Sequence, residues 1–531
     1  MRRLRPARAA FALVLVLAAT APVAALDPPN TGTITKVRDF VTSTLKELGV
    51  PGAAVVIVGR GGIEFAEGFG NARDDGTPVT PQTPFHVASL SKQLTSIAVM
   101  QLIESGDLNL EASVHSYLDW FGAEGSDTAL ITIRDLLAQT SGFSGNQGLT
   151  NRIDEDNADD ALERNVRRLA AEGPARAIGQ FEYSNANYDI LGYLVASASG
   201  QSYEAYMTEH VIGPLQMTHA HLTDTEARAD GLAQGHYLFF GLPVAYDIPF
   251  VRSSVPSSFV AASAEDLAHV LIAHLNGGAY DGTHVLDADR MAELRVPLTH
   301  PDAWDGYGWG WWTDPLWNAG ALEDGSEAPH YEVPVVLEHT GSHATYASAM
   351  LLVADEGIGV VVLLNLNDEN ASSRFYQLHT GIAQILLGHN APTISSYDEF
   401  LAQHGKLVGL AWVALLGVFV AWSVRRFRRW SRDPDSAPHG WWAIFRRMVM
   451  PLAIVVAQLV GFWLLVMSRG GTFSDVPRLI RLSPDIGLIV AVVTLVSVAW
   501  IVIGVIWSIR LLRRGPVIQT PLRAAPGAPH D

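Results

Sequence analysis

The sequence has 531 residues, a formal net charge of −18 and 48% hydrophobic residues, enough chain for two or three domains. Its charge is unevenly distributed: residues 407–531 contain 14 Arg and five Asp, a local charge of +9, which leaves −27 on residues 1–406. An acidic part followed by a basic, apolar part is typical of a soluble domain on a membrane anchor and argues against a nucleic-acid partner. Because the sequence contains no Cys, disulfides, thiolate nucleophiles and thiolate metal sites are excluded.

The first 25 residues have the pattern of a secretory signal peptide. Four arginines lie among the first eight residues, and the apolar run over residues 9–19 is too short to cross a bilayer. Small residues at positions 23–25 then precede Leu26, as at a cleavage site. We therefore expect a signal peptide over residues 1–25, with a retained N-terminal anchor as the alternative.

Residues 26–390 are predicted to form one globular unit with strands near both of its ends. Helices are expected over residues 36–49, 91–105 and 371–387, and strands over 53–58, 63–68, 344–353 and 358–365. The strands form two hairpins, and mostly helices and loops are expected over residues 110–300. This order predicts an α/β sheet domain plus an all-helical domain, with a cleft where the two meet.

The C-terminal part of the sequence is predicted to cross a membrane three times. After a linker at residues 391–406, apolar stretches without charged residues occupy 407–424, 448–467 and 486–509. Each approaches or exceeds the roughly 20 residues that span a bilayer. We expect a three-helix membrane region over residues 407–515 and a cytoplasmic tail over 516–531. Buried core helices are the alternative explanation of the apolar stretches.

The arginines predict the orientation of these spans. The first loop contains seven arginines, the second loop three and the tail four. Since positively charged loops remain in the cytoplasm, the first loop and the tail are expected inside. The globular unit then lies outside, which agrees with the signal peptide. The sequence thus predicts a multi-pass membrane protein of the bacterial cell envelope, with the lipid bilayer as one of its partners.

A Ser-x-x-Lys pattern at Ser89 and Lys92 is the first candidate for catalysis. One helical turn separates the two residues, so their side chains share a face, and a nearby lysine can take the proton of a serine nucleophile. The same pattern occurs at Ser43 and Lys46, but those residues project from the polar face of the first helix. A helix-capping role for Ser89 is the alternative to a catalytic one.

Two further patterns carry polar groups suited to the same chemistry. Tyr183 precedes Asn185 by two positions, and a phenol near a serine and a lysine can shuttle a proton. The asparagine can fix the lysine and bind a substrate amide. A loop tyrosine that only packs its ring is the alternative interpretation.

The segment His339, Thr340 and Gly341 precedes the C-terminal hairpin and is expected to open an edge strand that lines the cleft. The glycine would let a substrate backbone approach closely. The histidine, as a group able to carry a positive charge, would bind a carboxylate or raise the electrostatic potential. A second His-Thr-Gly at His379 lies within a helical pattern and is interpreted as structural.

In this order and on these elements, the three patterns resemble those of the β-lactamase-related serine hydrolases, which include class C β-lactamases, DD-peptidases, other penicillin-binding proteins and esterases. Further similar segments lie at residues 131–137, 140–142, 262–267, 307–310 and 357–362. The resemblance covers residues 30–390. It implies the β-lactamase/transpeptidase-like fold and hydrolysis through an acyl-enzyme.

Carried over to this sequence, the resemblance implies that Ser89 is the acylated nucleophile and that Lys92 and Tyr183 form its base network. Asn185, His339, Thr340 and Gly341 would line the substrate site, and Gln147 would be an amide-binding residue. The backbone N–H groups of Ser89 and Ser342 would form the oxyanion hole. His339 stands where efficient β-lactamases have Lys, which argues against classical β-lactamase activity.

The resemblance implies no cofactor, and the spacing of the 18 histidines matches no metal-binding motif. The expected partner is a small-molecule or peptide substrate, with cell-wall peptides among the candidates, and no nucleic acid. Small esters, amides and D-amino-acid peptides are the substrate classes expected. A degenerate penicillin-binding or sensor module without turnover, and a true β-lactamase, are the alternatives.

Overall fold

The computed structural model describes residues 29–153, 156–302, 305–316, 334–367, 372–390, 400–433 and 484–513, and three isolated positions between 453 and 457. The helices are α1 (Thr31–Leu48), α2 (Ser91–Ser105), α3 (Asp127–Leu130), α4 (Ile133–Leu137), α5 (Ala161–Glu172), α6 (Asn185–Ser199), α7 (Tyr203–Met207), α8 (Asp224–Ala229), α9 (Ala264–Leu275), α10 (Ala288–Glu293), α11 (Ser372–Leu386), α12 (Phe400–Arg432) and α13 (Pro484–Arg513). The strands are β1 (Gly52–Gly59), β2 (Gly62–Gly70), β3 (Phe85–His86), β4 (His236–Phe239), β5 (Leu242–Ala245), β6 (Ala261–Ala262), β7 (Ala279–Tyr280), β8 (Thr283–His284), β9 (Gly306–Gly308), β10 (Trp311–Pro315), β11 (Val335–His343), β12 (Tyr346–Val353), β13 (Ile358–Leu364) and β14 (Leu366–Asn367).

The main sheet joins strands from both ends of the globular unit. Its seven strands are antiparallel and follow the order β2-β1-β13-β12-β11-β10-β9. Every residue of β1 and β13 is apolar or glycine and is buried, because helices cover both faces of the sheet. Both predicted hairpins, β1–β2 and β12–β13, are confirmed.

Helix α1 covers one face of the sheet together with α11. Its buried stripe of Val37, Val41 and Leu45 recurs at helical spacing and packs into the same hydrophobic cluster as β1 and β13. The helix begins five residues before the predicted start because the Asn30 side chain caps it, accepting a hydrogen bond from the N–H of Thr33 at 3.1 Å. It ends where Gly49 adopts a left-handed conformation.

The opposite face of the sheet supports α9, α2 and the helical region between them in sequence. The predicted helix over residues 91–105 is confirmed as α2, which ends at the left-handed Gly106. The region predicted to be helical also contains short strands, of which β4 and β5 form a small second sheet with β14. Sequence periodicity missed them because strands of two to four residues are too short to show alternation.

The prediction that His339, Thr340 and Gly341 open an edge strand is wrong for the strand as a whole, because β10 and β9 lie beyond β11 in the sheet. However, β10 pairs with β11 only from Val335 to Glu338. The part of β11 that follows Glu338 therefore has β12 on one side and no paired strand described on the other. This half-strand, His339–His343, lines the candidate site.

Two C-terminal helices are long and apolar enough to cross a membrane, with apolar windows at Gly409–Arg426 and Gly487–Trp507. Helix α12 begins at Phe400, so the last seven residues of the predicted linker are helical. The predicted signal peptide, the rest of the linker, nearly all of the second span at 448–467 and the tail lie outside the described residues.

Helices α12 and α13 pack side by side and run in the same direction. Near their beginnings, Gly409 lies against the side chain of Ile489. Further along both helices, the rings of Phe419 and Trp500 are 4.8 Å apart. The two helices therefore begin at the same end of the pair.

Candidate active site

Ser89 lies in the turn Ala88–Leu90, directly before α2. The preceding residue, Ala88, has a φ of +49°, a left-handed conformation that residues with a side chain seldom adopt. Two hydrogen bonds hold this turn: the Ser91 hydroxyl donates to the Ala88 carbonyl at 2.7 Å, and the Ser348 hydroxyl donates to the Val87 carbonyl at 2.7 Å. Backbone strain that the surroundings hold in place is common at functional sites.

Gly341 permits the close approach of β11 to this turn. A Cβ atom at position 341 would lie 2.5 Å from the carbonyl oxygen of Val87 and would also collide with the Ser348 hydroxyl. From the sequence, Gly341 was expected to make room for the backbone of a substrate. In the structure, it makes room for the turn that carries Ser89.

Lys92 lies one helical turn after Ser89 and is fully buried. Its Nζ atom is 3.2 Å from Ser89 Oγ, 2.8 Å from Asn185 Oδ1 and 2.7 Å from the carbonyl oxygen of Ser257. All three acceptors are uncharged. The role of Ser257 cannot be predicted from the sequence, because any residue type can supply a backbone carbonyl.

Tyr183 approaches Ser89 from the loop before α6. Its hydroxyl donates to Ser89 Oγ at 3.0 Å, and Lys92 Nζ lies 5.0 Å from the centre of its ring. The ring of Tyr307 packs edge-on against it at 6.0 Å. Tyr307 falls in the segment at 307–310 that resembled the family, but the sequence did not assign it a place beside Tyr183.

Gln139 is a support of this loop that sequence reasoning missed. Its side-chain oxygen accepts a hydrogen bond from the N–H of Ser184 at 2.9 Å, next to Tyr183, and its carbonyl accepts one from the N–H of Glu182 at 2.9 Å. Its φ of +60° is a second left-handed conformation near the site. Because an isolated glutamine has no spacing signature, only the folded structure reveals this role.

His339 is buried at 3% exposure and close to the ring of Tyr183, with the ring centres 5.9 Å apart. Its Nδ1 atom lies 2.7 Å from the carbonyl oxygen of Thr340 and therefore carries the ring proton. Burial, and after it the nearby charge of Lys92, lowers the pKa of His339 to about 3. Burial thus disfavours the positively charged form of His339, and the binding of a carboxylate by this residue stays a prediction.

Thr340 and Ser342 are partly exposed on the half-strand His339–His343, while Gly341 between them is buried. The side chain of Asn367 fixes the end of this half-strand: its amide donates to the Ser342 hydroxyl at 2.9 Å and to the His343 carbonyl at 2.7 Å. The oxyanion role of the Ser342 N–H stays a prediction.

The structure does not bring Gln147 into contact with this cluster. Its side-chain oxygen accepts from the N–H of Ser144 at 3.0 Å, and its amide donates to the Gly173 carbonyl at 2.8 Å. Both ends of the amide therefore have partners within the neighbouring loops. Substrate binding by Gln147 stays a prediction.

The second copies of both patterns are structural, as predicted. The Ser43 hydroxyl donates to the carbonyl of Asp39 at 2.8 Å, within its own helix. His379 lies in α11 on the covered face of the sheet, with Nε2 2.9 Å from a carboxylate oxygen of Glu338. Neither copy contacts Ser89.

A sheet flanked by helices, with Ser89, Lys92 and Tyr183 meeting beside β11, defines a β-lactamase/transpeptidase-like fold. The chain belongs to the beta-lactamase family, whose model matches residues 37–380. This match confirms the family that the sequence patterns indicated.

The chain is also similar to curated proteins and to solved structures. It is 28% identical to Protein flp of Staphylococcus aureus over 399 residues, covering 73% of this chain and 75% of that protein. It is 31% identical to penicillin-binding protein 4 of Amycolatopsis lactamdurans over 361 residues, covering 65% of this chain and 88% of the other. The crystal structure of D-alanine carboxypeptidase AmpC from Burkholderia cenocepacia shares the fold, with a TM-score of 0.52, 23% identity, and coverage of 67% of this chain and 99% of that one.

Proposed function

We propose that the chain is a membrane-anchored serine hydrolase that acts outside the cytoplasm through an acyl-enzyme on Ser89. One observation carries this proposal: Ser89 Oγ lies within hydrogen-bonding distance of both Lys92 Nζ and Tyr183 OH. A serine next to two groups that can accept and return a proton is the arrangement required for nucleophilic catalysis.

In the acylation step, Ser89 Oγ attacks the carbonyl carbon of the substrate while its proton passes to the Lys92–Tyr183 pair. The same pair returns a proton to the departing alcohol or amine. Asn185 and the Ser257 carbonyl hold Lys92 in position throughout, since both bind its Nζ atom. The N–H groups of Ser89 and Ser342 are the proposed donors to the oxyanion.

In the deacylation step, a water molecule attacks the acyl group on Ser89. The Lys92–Tyr183 pair accepts the proton of this water and returns it to Ser89 Oγ as the carboxylic acid leaves. Tyr183 is the better placed of the two, because it is only partly buried, whereas Lys92 is fully enclosed.

The substrate classes proposed are small esters, amides and D-amino-acid peptides. The names of relatives, a penicillin-binding protein and a D-alanine carboxypeptidase, support the peptides. The uncharged ring of His339 supports esters and amides without a free carboxylate, because it offers no positive charge to such a group. The same absence of charge argues against proficient β-lactam hydrolysis.

The parallel packing of α12 and α13 supports the three-span topology. Because both helices begin at the same end, the chain between them has to return across the membrane, as a third span would do. Both helices also end in arginines, at Arg425–Arg432 and at Arg510 and Arg513, so the basic ends lie together on the side expected to be cytoplasmic. Reporter fusions after Asn390, Ser436, Thr472 and Gly515 should read outside, inside, outside and inside; a cytoplasmic fusion at Asn390 would overturn the topology.

A degenerate binding module is the alternative function. The mutual contacts of Ser89, Lys92, Tyr183 and Asn185 argue against it, because loss of one member is the expected mark of degeneracy. The decisive experiment treats the full-length chain with a serine-reactive phosphonate and maps the label by mass spectrometry. Label on Ser89 is expected, with none on Ser43. Label on Ser43, or label that persists in Ser89→Ala, would contradict the proposal.

Substrate profiling then separates the activities within this class. The purified full chain in detergent should hydrolyse small esters or D-amino-acid peptides and turn over β-lactams slowly or not at all. A kcat/KM for a cephalosporin near ~10⁶ M⁻¹s⁻¹ would be in the range of proficient enzymes and would make the chain a true β-lactamase.

A further inference from the structure

The hairpin β4–β5 projects apolar side chains from the globular unit. At and after its turn, Leu242 is 68% exposed and Val244 is 45% exposed. Phe239 and Phe240 are partly exposed next to them. We call residues 239–244 the hairpin tip. Neighbouring apolar side chains on a surface mark a site of interaction with a protein or a membrane.

Two hydrogen bonds connect this hairpin to the beginning of α13. The Tyr237 hydroxyl donates to one carboxylate oxygen of Asp485 at 2.6 Å, and the N–H of Phe240 donates to the other at 3.1 Å. Asp485 is completely buried by these contacts. The apolar window of α13 begins only two residues later, at Gly487, which is about 3 Å along the helix.

We infer that the hairpin tip inserts into the outer leaflet of the lipid bilayer, beside the point at which α13 enters it. The inference rests on the membrane anchoring of the proposed function. Its basis is continuity: the bonds to Asp485 place an exposed apolar hairpin at the level where the apolar part of α13 begins. Lipid is therefore the occupant that the position of the tip favours over a second protein.

The backbone of the hairpin limits how deeply the tip inserts. Strand β5 pairs with β4 on one side, and no strand pairs with its other side in the described sheet. Unpaired backbone groups are not tolerated in the hydrocarbon core, so the tip lies at the boundary of headgroups and acyl chains, about 5–10 Å deep. This placement also covers an apolar strand edge that in water would promote association between chains.

The attraction is apolar rather than electrostatic. Residues 236–247 contain no Lys or Arg, and the acidic Asp247 is paired with Arg228 at 2.8 Å. Anionic headgroups therefore have no positive charge on the hairpin to bind. Insertion should be as deep in a neutral phosphatidylcholine bilayer as in one that contains phosphatidylglycerol.

The absence of Cys from the chain permits a direct test. The variant Leu242→Cys carries a single nitroxide label on the hairpin tip. The matched control is Leu130→Cys, because Leu130 lies at the end of α3 and its side chain is 61% exposed. Both full-length variants are placed in nanodiscs of phosphatidylcholine, with and without phosphatidylglycerol. Collisions with oxygen and with a water-soluble nickel chelate then report the depth of the label by electron paramagnetic resonance.

The label at position 242 is expected to collide with oxygen, to be shielded from nickel, and to report the same depth in both lipid mixtures. The label at position 130 should be open to nickel. Equal access of nickel to both labels would overturn the inference, and so would shielding of position 242 from both reagents with spin–spin broadening, which indicates a second copy of the chain.

Two controls separate this result from a failure of the proposed function. Resistance of the full chain to carbonate extraction reports the membrane anchor, and phosphonate labelling of Ser89 reports the active site. A chain that is extracted loses both the anchoring and the inference. A chain that stays in the membrane with position 242 open to nickel refutes only the inference.

Discussion

The chain contains the Ser-x-x-Lys pattern twice, and the two copies have opposite surroundings. In α1, Ser43 donates back to a carbonyl of its own helix, and Lys46 lies at the last turn of a surface helix. At the start of α2, Ser89 and Lys92 are buried and contact each other, and Tyr183 completes the cluster. The difference shows that spacing alone does not bring a serine and a lysine together with further polar groups; at Ser89 the fold brings up the segments that carry Tyr183 and Asn185.

The two His-Thr-Gly segments also differ in their surroundings. His339 lies on an inner strand beside Tyr183, whereas His379 lies on α11 and binds a carboxylate of the sheet. Both histidines are buried, so burial does not distinguish them. The two histidines differ in their neighbours: His339 lies beside Tyr183, which contacts Ser89, and His379 lies beside Glu338.

The largest difference in activity is expected between variants of the two lysines, Lys92 and Lys46. Lys92→Ala should lower kcat/KM for ester hydrolysis by about 10³-fold, because it removes one of the two proposed proton-transfer groups, Lys92 and Tyr183. Lys46→Ala, the matched change in the other copy, should leave kcat/KM unaltered. Steady-state kinetics of both variants, with thermal unfolding to verify that each is folded, measures the contrast. Similar losses in the two variants would contradict the distinction between the copies.

A smaller loss of kcat is expected from changing Tyr183, which has no described counterpart next to Ser43. Tyr183→Phe keeps the ring beside Tyr307 and removes only the hydroxyl that donates to Ser89, so kcat should fall by about 10²-fold. Tyr206→Phe is the control and should keep full activity, since the Tyr206 hydroxyl donates to Gln101 at 3.4 Å and no described contact joins it to Ser89. Full activity of Tyr183→Phe would leave Lys92 as the sole proton-transfer group.

The pH dependence of stability should report the buried state of His339. The pKa of His339 is near 3 in the folded chain against 6.5 when exposed, so its neutral form stabilises the fold fully above pH 6.5. This contribution is lost as the pH falls from 6.5 towards 3, by about 1.4 kcal/mol per pH unit. His339→Gln should therefore reduce the acid sensitivity of unfolding by denaturant between pH 6.5 and 4. An unchanged slope would contradict the buried, neutral state of His339.

The smallest effect is expected from His379→Gln. It removes the contact with Glu338, so the free energy of unfolding should fall by roughly 1–3 kcal/mol at pH 7. Ester turnover by the folded variant should be unaltered, because no described contact joins His379 to Ser89. A specific loss of kcat without a loss of stability would give this second copy a functional role that its position does not explain.

Sequence patterns predicted the parts of the molecule that depend on local order. Both sheet hairpins, the start of α2 and the identity of the Ser89 cluster followed from turn residues, periodicity and motif spacing. The carbonyl of Ser257 and the support from Gln139 did not, since neither role needs a particular neighbour in sequence. The predicted edge position of β11 was wrong because the strands beyond it are too short to be recognised in the sequence: β9 has only three residues and β10 only five.

The register of β1 has a consequence for the order in which the chain folds. β1 pairs with β13 such that Val55 faces Val362, about 300 residues later in the chain. The β1–β2 hairpin can therefore form early, but β1 lacks its second neighbour in the sheet until the last strands have been made. Such a distant contact closes slowly, and the open edge of β1 is exposed to aggregation in the interval. Because β11 also packs against the turn that carries Ser89, the cluster cannot be complete until the C-terminal third of the globular unit has joined the sheet.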